Sequence, residues 1–281
     1  MDIPTSQLND GHSIPQLGFG VFQVPPEDTA ETVRAALEVG YRHIDTAQMY
    51  GNEEGVGQAI AESGIPREEL FITSKLNNGN HRPADAERSF EETLRRLGTD
   101  RVDLFLIHWP LPTRYDGDFV STWRTLTGFR EDGRARSVGV SNFQPAHLSR
   151  IIDETGEVPA VNQIELHPYF GNEQARSASL EHDIRIEAWS PIAQGKVIDD
   201  AVLTRIGERH GKTASQVALR WHLQRDHIIF PKSMRRARMQ ENLEILDFVL
   251  SGEEMAEVSA LDQGASGRIG PDPDTFDVVP D

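Results

Sequence analysis

The 281-residue chain has no cysteine, so neither disulfides nor thiolate catalysis can belong to its chemistry, which fits a reducing compartment. No run approaches the ~20 apolar residues of a membrane span. The start, MDIPTSQLND, has neither the basic nor the apolar segment of an export signal. Positive charge is scarce: 28 Lys+Arg stand against 45 Asp+Glu, a formal net charge of −17. A mean field of that sign repels nucleic acid and anionic membrane, so neither is an expected partner, and a polyanionic ligand needs a local basic site. HExxH, G-x-x-x-x-G-K and G-x-G-x-x-G are all missing. Zinc hydrolysis, P-loop chemistry and the Rossmann mode of dinucleotide binding therefore lack their usual parts, and no metal is expected. The expectation is a soluble cytoplasmic protein acting on a small molecule.

What is present is alternation. Eight short β-rich runs occur in order: LGFGVF (residues 17–22), YRHID (41–45), LFITSKL (70–76), VDLFLIHW (102–109), RSVGVSN (136–142), AVNQIEL (160–166), RIEAWS (185–190) and HIIFPKS (227–233). Amphipathic stretches separate them, the pattern of parallel strands joined by helical crossovers. In the first, Glu27 and Asp28 suit a first turn, Val33 and Leu37 share a face, and Gly40 terminates. Phe90, Leu94 and Leu97 repeat that logic before Gly98, and residues 241–262 read as the last helix. Asn9, Asp10 and Gly11 turn a hairpin ahead of the first strand, and the Gly-, Pro- and Asp-rich tail after Asp262 reads as loop. Eight strands with no linker between them predict an α/β fold, one (β/α)8 TIM barrel over residues 1–281.

In such barrels functional side chains gather where strands end, on one rim. Asp45, Lys75, His108, Ser141, Asn142, Gln163, Trp189 and Lys232 all end strands, and Tyr50 follows in the loop after Asp45. Each has a plainer use, Asp45 as a turn former, Tyr50 as packing, Lys75 as a solvated cation and His108 as a core histidine. Together they form a chemical set. A phenol, with a free pKa of about 10, becomes a useful proton donor when a cation acidifies it. One charge at ~4 Å and an effective dielectric near 20 is worth roughly 4 kcal/mol, about three pKa units before opposing desolvation. Asp45 would keep Lys75 charged, and His108 would orient a substrate oxygen. A proton donor beside an oxygen-orienting histidine suits carbonyl reduction, where charge develops on oxygen as hydride reaches carbon. Lys232, Arg235, Arg236 and Arg238 then place four cations within seven residues of an acidic chain, with Ser233 and a helix start beside them, a phosphate site.

HIDTAQMYGNEEGVG, FITSKL, DLFLIHWP, GVSNF, NQIELHP, EAWSPIAQGK and FPKSMRRARMQENLEIL, in this order along essentially the whole chain, resemble the aldo-keto reductase superfamily, most strongly its bacterial 2,5-diketo-D-gluconic acid reductases. The resemblance implies a (β/α)8 barrel closed at its base by the hairpin, NADPH as cofactor, a monomer, and the catalytic tetrad Asp45, Tyr50, Lys75 and His108. It implies that Ser141, Asn142 and Gln163 hold the nicotinamide carboxamide and Trp189 stacks on the ring. Ser190, Pro191, Ile192, Gln194, Gly195 and Lys196 would lie along the pyrophosphate, Lys232, Ser233 and Arg238 on the 2′-phosphate, and Glu241 and Asn242 near the adenine. Phe22, Ala47, Tyr50, His108 and Trp109 would wall the pocket for a carbonyl substrate, with residues 269–276 of the tail reaching over it. The chain departs from many relatives at Asn77, Asn78 and Gly79, where an aromatic is common, and at Trp189, tyrosine in other branches. Two other functions suit the same residues: a cofactor-binding, redox-sensing or partner-binding barrel with little turnover, and a Schiff-base aldolase using Lys75, which an adjacent Asp45 would oppose by keeping the amine protonated.

Overall fold

The computed structural model describes residues 3–279. An antiparallel hairpin of β1 (Thr5–Gln7) and β2 (Ser13–Pro15) opens the chain. Eight strands follow: β3 (Phe19–Gly20), β4 (His43–Asp45), β5 (Phe71–Leu76), β6 (Val102–Ile107), β7 (Ala135–Ser141), β8 (Val161–Glu165), β9 (Arg185–Trp189) and β10 (Ile228–Ile229). All pair in parallel, each with its sequence neighbour. A parallel bridge between Leu17 and Ile229 joins the ends, with Gly18 N donating to Ile229 O at 2.7 Å and Ile229 N to Gln16 O at 2.8 Å. The eight-stranded sheet is thereby nearly closed into a barrel.

The helices α1 (Pro26–Val39), α2 (Glu53–Glu62), α3 (Pro83–Leu97), α4 (Phe119–Glu131), α5 (Pro145–Thr155), α6 (Glu173–Glu181), α7 (Ala201–His210), α8 (Ala214–Gln224), α9 (Arg236–Leu243) and α10 (Gly252–Ser259) form the outer layer. Their boundaries follow local chemistry. Prolines open α1, α3 and α5, where a missing N–H costs nothing. Gly98 ends α3 at φ 63°, a left-handed conformation that glycine enters freely. Val33, Leu37, Phe90, Leu94 and Leu97 are buried against the strands, each such side chain contributing roughly 1.5–3 kcal/mol.

Inside the barrel, side chains alternate along each strand. At the base Phe71, Leu104, Val161 and Ile228 pack with Leu8 and Ile14 of the hairpin, which plugs that end with apolar groups. Polar residues occupy the opposite end. Among the described residues no helix is long and apolar enough to cross a membrane.

Two expectations change. The first and last strands pair over two residues each, far less than the runs 17–22 and 227–233. A Cβ on Gly20 would stand 2.6 Å from Phe230 O, so the two segments cross backbone on backbone, and Pro231 has no N–H to extend a ladder. Residues 241–262 are not one helix. α9 stops at Leu243, and α10 begins only after Ser251, whose hydroxyl accepts from Glu254 N while the Glu254 carboxylate accepts from Ser251 N, a reciprocal cap that starts a new helix.

Candidate active site

Asp45 ends β4, Lys75 lies on β5, and His108 follows the last residue of β6, so three neighbouring strands deliver them to one rim. Tyr50 closes a single 3-10 turn, Gln48–Tyr50, that Gly51 ends at φ 67°. Two side chains seat that turn. Gln48 donates to Ser89 O at 3.0 Å and Thr93 Oγ1 at 2.9 Å and accepts from Asn77 N at 2.7 Å. Asn52 donates to Val21 O at 3.0 Å and accepts from Thr46 Oγ1 at 2.9 Å. Neither was singled out from sequence, because a polar residue in a loop carries no mark of burial.

Lys75 is completely buried. Its ammonium uses its three hydrogens on Asp45 Oδ1 at 2.7 Å, Thr46 O at 2.9 Å and Tyr50 OH at 3.5 Å. Burial opposes charge on Lys75, yet the Asp45 carboxylate holds the ammonium above its ordinary pKa. Tyr50 departs from the expectation. Burial pushes the phenol up, and the Lys75 cation only partly offsets this, with Asp45 working against it. The Tyr50 residue is half-buried overall; the hydroxyl end, against an enclosed ammonium, carries the desolvation. In the ligand-free protein Tyr50 is thus a protonated donor rather than an acidified one.

His108 is held well below 6.5 by burial first and Lys75 second, so its ring is neutral at pH 7, and its Nδ1 has no partner. The ring stands edge-on to Tyr50 with centroids 5.7 Å apart. Phe22, exposed, has its ring 5.1 Å from that of Tyr50, and Trp109 is nearly buried against Phe276 at 4.2 Å. Ala47 is fully buried at the foot of the Tyr50 turn.

Across the rim a second group is self-satisfied. Ser141 Oγ donates to Gln163 O at 2.8 Å. Asn142, at φ 64°, donates to His108 O and Ser141 Oγ, both at 3.0 Å, and its Oδ1 accepts from Trp189 Nε1 at 2.9 Å. Gln163 Nε2 donates to Asp45 Oδ2 at 2.9 Å and to Glu187 Oε2 at 2.8 Å. Ser190, Ala193 and Gln194 take φ of 52°, 48° and 53° in the turn that carries Pro191, Ile192, Gly195 and Lys196. Left-handed backbone costs a non-glycine residue roughly 1–2 kcal/mol and gathers at functional sites.

Lys232, Arg235 and Arg238 are exposed without an ion pair among the described residues, whereas Arg236 pairs with Glu38. α9 begins between these cations with no side-chain cap on its free N–H groups, and Ser233 accepts from Arg235 N at 3.1 Å. Glu241 accepts from Thr213 Oγ1 at 2.8 Å, and Asn242 is nearly buried.

The tail crosses the rim as expected, on an anchor sequence reading missed. The Glu165 carboxylate accepts from Ile269 N at 2.6 Å and Gly270 N at 2.9 Å, with His167 Nε2 3.0 Å away. Gly270 is pressed on Trp189, where a Cβ would come within 2.4 Å of the indole. Farther on, Asn78 Nδ2 donates to Val278 O at 2.9 Å and Arg114 Nε to Asp277 O at 3.0 Å.

The chain has counterparts among known proteins over nearly its whole length. Residues 16–263 match the Aldo/keto reductase family. An aldo-keto reductase of Mycolicibacterium smegmatis is 49% identical over 273 residues, 97% of this chain and 98% of that one. Methylglyoxal reductase DkgA of Escherichia coli is 45% identical over 96% of this chain and 97% of its own. The crystal structure of a Gox0644 mutant in complex with NADPH superposes with a TM-score of 0.94 at 42% identity, covering 98% of this chain and 99% of that one. With the whole barrel and the rim both covered at such identity, the chain belongs to the aldo/keto reductase family.

Proposed function

We propose that this protein reduces aldehydes and ketones to alcohols with NADPH, taking small dicarbonyls such as methylglyoxal and keto-sugar acids such as 2,5-diketogluconate. The observation that carries the reading is the Tyr50 hydroxyl, 3.5 Å from a buried ammonium that Asp45 keeps charged. What NADPH supplies when bound is the hydride. Tyr50 gives its proton to the carbonyl oxygen, and Lys75 stabilises the negative charge left on the phenol. Neutral His108 donates a ring N–H to the same oxygen and sets which carbonyl face is presented. The tail and Trp109 limit water at the reacting atoms.

The residues fit the cofactor. Lys232 and Arg238 are unpaired cations in a strongly acidic chain, and an uncapped helix start beside Ser233 supplies N–H donors, the combination a 2′-phosphate needs. The strained turn at Ser190 to Lys196 suits close backbone approach to the pyrophosphate. Ser141 and Asn142, trading bonds they now make with one another, and Gln163, through its amide oxygen, are assigned to the carboxamide, and Trp189 to the nicotinamide ring. Glu241 and Asn242 are assigned to the adenine.

Tyr50→Phe tests the reading. NADPH affinity, read by quenching of protein fluorescence, should stay within about threefold of wild type, while kcat on methylglyoxal, 2,5-diketogluconate and an aromatic aldehyde should fall by at least roughly two orders of magnitude, the usual reach of general acid catalysis. A variant that keeps a near wild-type rate overturns it.

A further inference from the structure

Glu187 lies inside the barrel beside Gln163, its register partner on β8, and is completely enclosed. Oε2 accepts one hydrogen of the Gln163 amide at 2.8 Å, while the other hydrogen goes to Asp45 Oδ2 at 2.9 Å. Only an NH2 group can serve two carboxyl oxygens in this way, so both amide hydrogens are spent and Gln163 can offer a ligand nothing but its carbonyl oxygen. Among the described residues Oε1 of Glu187 has no partner. The groups facing Glu187 are Gln163 from β8, Asp45 from β4 and Lys75 from β5. Its register partner on β10 is the apolar Ile228, and the adjacent His227 turns instead to Trp221 and His222.

Two carboxyl groups thus share one amide and one ammonium, and Asp45 holds that ammonium directly at 2.7 Å. No cation lies within ion-pairing distance of Glu187 among the described residues. An enclosed carboxylate with a single hydrogen bond and no counter-ion is strongly disfavoured, and two such groups this close do not both ionise easily. Glu187 is the one that keeps a proton. Burial first, and the Asp45 charge second, push its acid up to about 8.

We propose that Glu187 is a positioning residue for the reaction: as a neutral acid it leaves Asp45 the sole counter-charge of Lys75, and on ionising it competes for that cation and draws its field away from Tyr50. This rests on Tyr50 being the proton donor. The sign follows directly. A second negative charge under the site makes the phenol less acidic and its anion less stable, so carbonyl reduction slows as Glu187 loses its proton.

Glu187→Gln keeps the shape and the hydrogen bond to Gln163 but cannot ionise. With each profile normalised at about pH 6.5, wild-type kcat for reduction should decline several-fold around pH 8, and the variant should stay flat through that window. Infrared difference titration of the ligand-free protein supplies a readout independent of turnover. A buried protonated carboxyl band should vanish around pH 8 in wild type and be missing in Glu187→Gln. In wild type alone, the midpoint of this band measured with NADPH bound should coincide with that of the decline in kcat/KM for the carbonyl, a comparison that stands even if the variant fails to fold. Superimposable normalised profiles overturn the inference, and so does a wild-type protein without the infrared band, which leaves carbonyl turnover itself untouched. A wild type that reduces no carbonyl overturns the proposed function and the positioning role with it.

Discussion

Lys75→Met removes the ammonium beneath Tyr50. The methionine nearly matches the lysine stem in volume, and the site is sealed, with Lys75 fully buried and Asp45 nearly so. In wild type the ammonium stands 3.5 Å from the Tyr50 oxygen. At an effective dielectric near 20, a unit charge at that distance is worth about 5 kcal/mol to a full negative charge on the phenol. At roughly 1.4 kcal/mol per tenfold, the ceiling on the rate effect is more than three orders of magnitude. Only part of the charge has developed in the transition state, so a loss of about a hundredfold to a thousandfold is expected. Asp45 offsets part of the loss, because its charge opposes that of Lys75 at Tyr50 and disappears with it. Stripped of its cation, and already pushed up by burial, it takes up a proton and stays neutral. The assay is single-turnover oxidation of pre-bound NADPH, with cofactor affinity measured separately and far-ultraviolet dichroism confirming the fold. A rate within about fivefold of wild type, with the protein folded and cofactor bound, would show that the ammonium does not act on Tyr50.

Arg238→His should weaken NADPH by tenfold or more in Kd, on the order of 1.4 kcal/mol for one lost charge-assisted contact, and leave NADH nearly unchanged; equal losses would remove Arg238 from the phosphate. Gly20→Ala should lower Tm by several degrees, because its Cβ would meet Phe230 backbone oxygen at 2.6 Å where β3 closes on β10, and overpacking of this kind costs about 1–3 kcal/mol. An unshifted Tm would mean that the seam gives way freely. Acid should destabilise the fold before the ordinary carboxylates titrate, with Glu187, whose folded acid is held up to about 8, offsetting about one histidine. Burial holds His43 and His81 down to about 4 and His222 to about 3. The unfolded chain takes up these protons near pH 6.5 and the folded chain does not. Stability is therefore fully present above that pH and falls as pH drops toward the folded values, by up to about 1.4 kcal/mol per pH unit for each histidine. A Tm independent of pH between about 7 and 5 would contradict this.

The barrel was readable because its signals are local. β5 and β6 show as apolar runs of near-correct length, and the Gly40 and Gly98 stops need only their own backbone. The seam was misread for the opposite reason. How far β3 and β10 pair depends on Gly20 meeting Phe230, residues 210 positions apart (230 − 20), and nothing in either run records that approach. The break between α9 and α10 had a local signal in Ser251 and Glu254, a cap that apolar spacing alone passes over. In the site, ends of strands pointed to Asp45, Lys75, His108 and Gln163. The same rule of two would have reached the carboxyls. Glu165 is two residues past Gln163, and Glu187 two before Trp189, so both alternate onto the barrel's inner face.

Depth is what spacing does not supply, and it decides the sign at Tyr50. A Coulomb estimate alone makes Lys75 acidify the phenol, yet desolvation exceeds that pull and the resting pKa goes up. The two effects do not act at the same moment of the reaction. Desolvation weighs on the phenolate in the empty site and keeps the proton on Tyr50 while a carbonyl binds. The ammonium, already fixed by Asp45 and Thr46 and needing no reorganisation, acts in proportion to the negative charge that appears as the proton leaves. A phenol acidified at rest would lose its proton to water before it met a substrate. One held protonated by enclosure, above a charge that stabilises only its anion, gains most in the transition state, and that difference is what lowers the barrier.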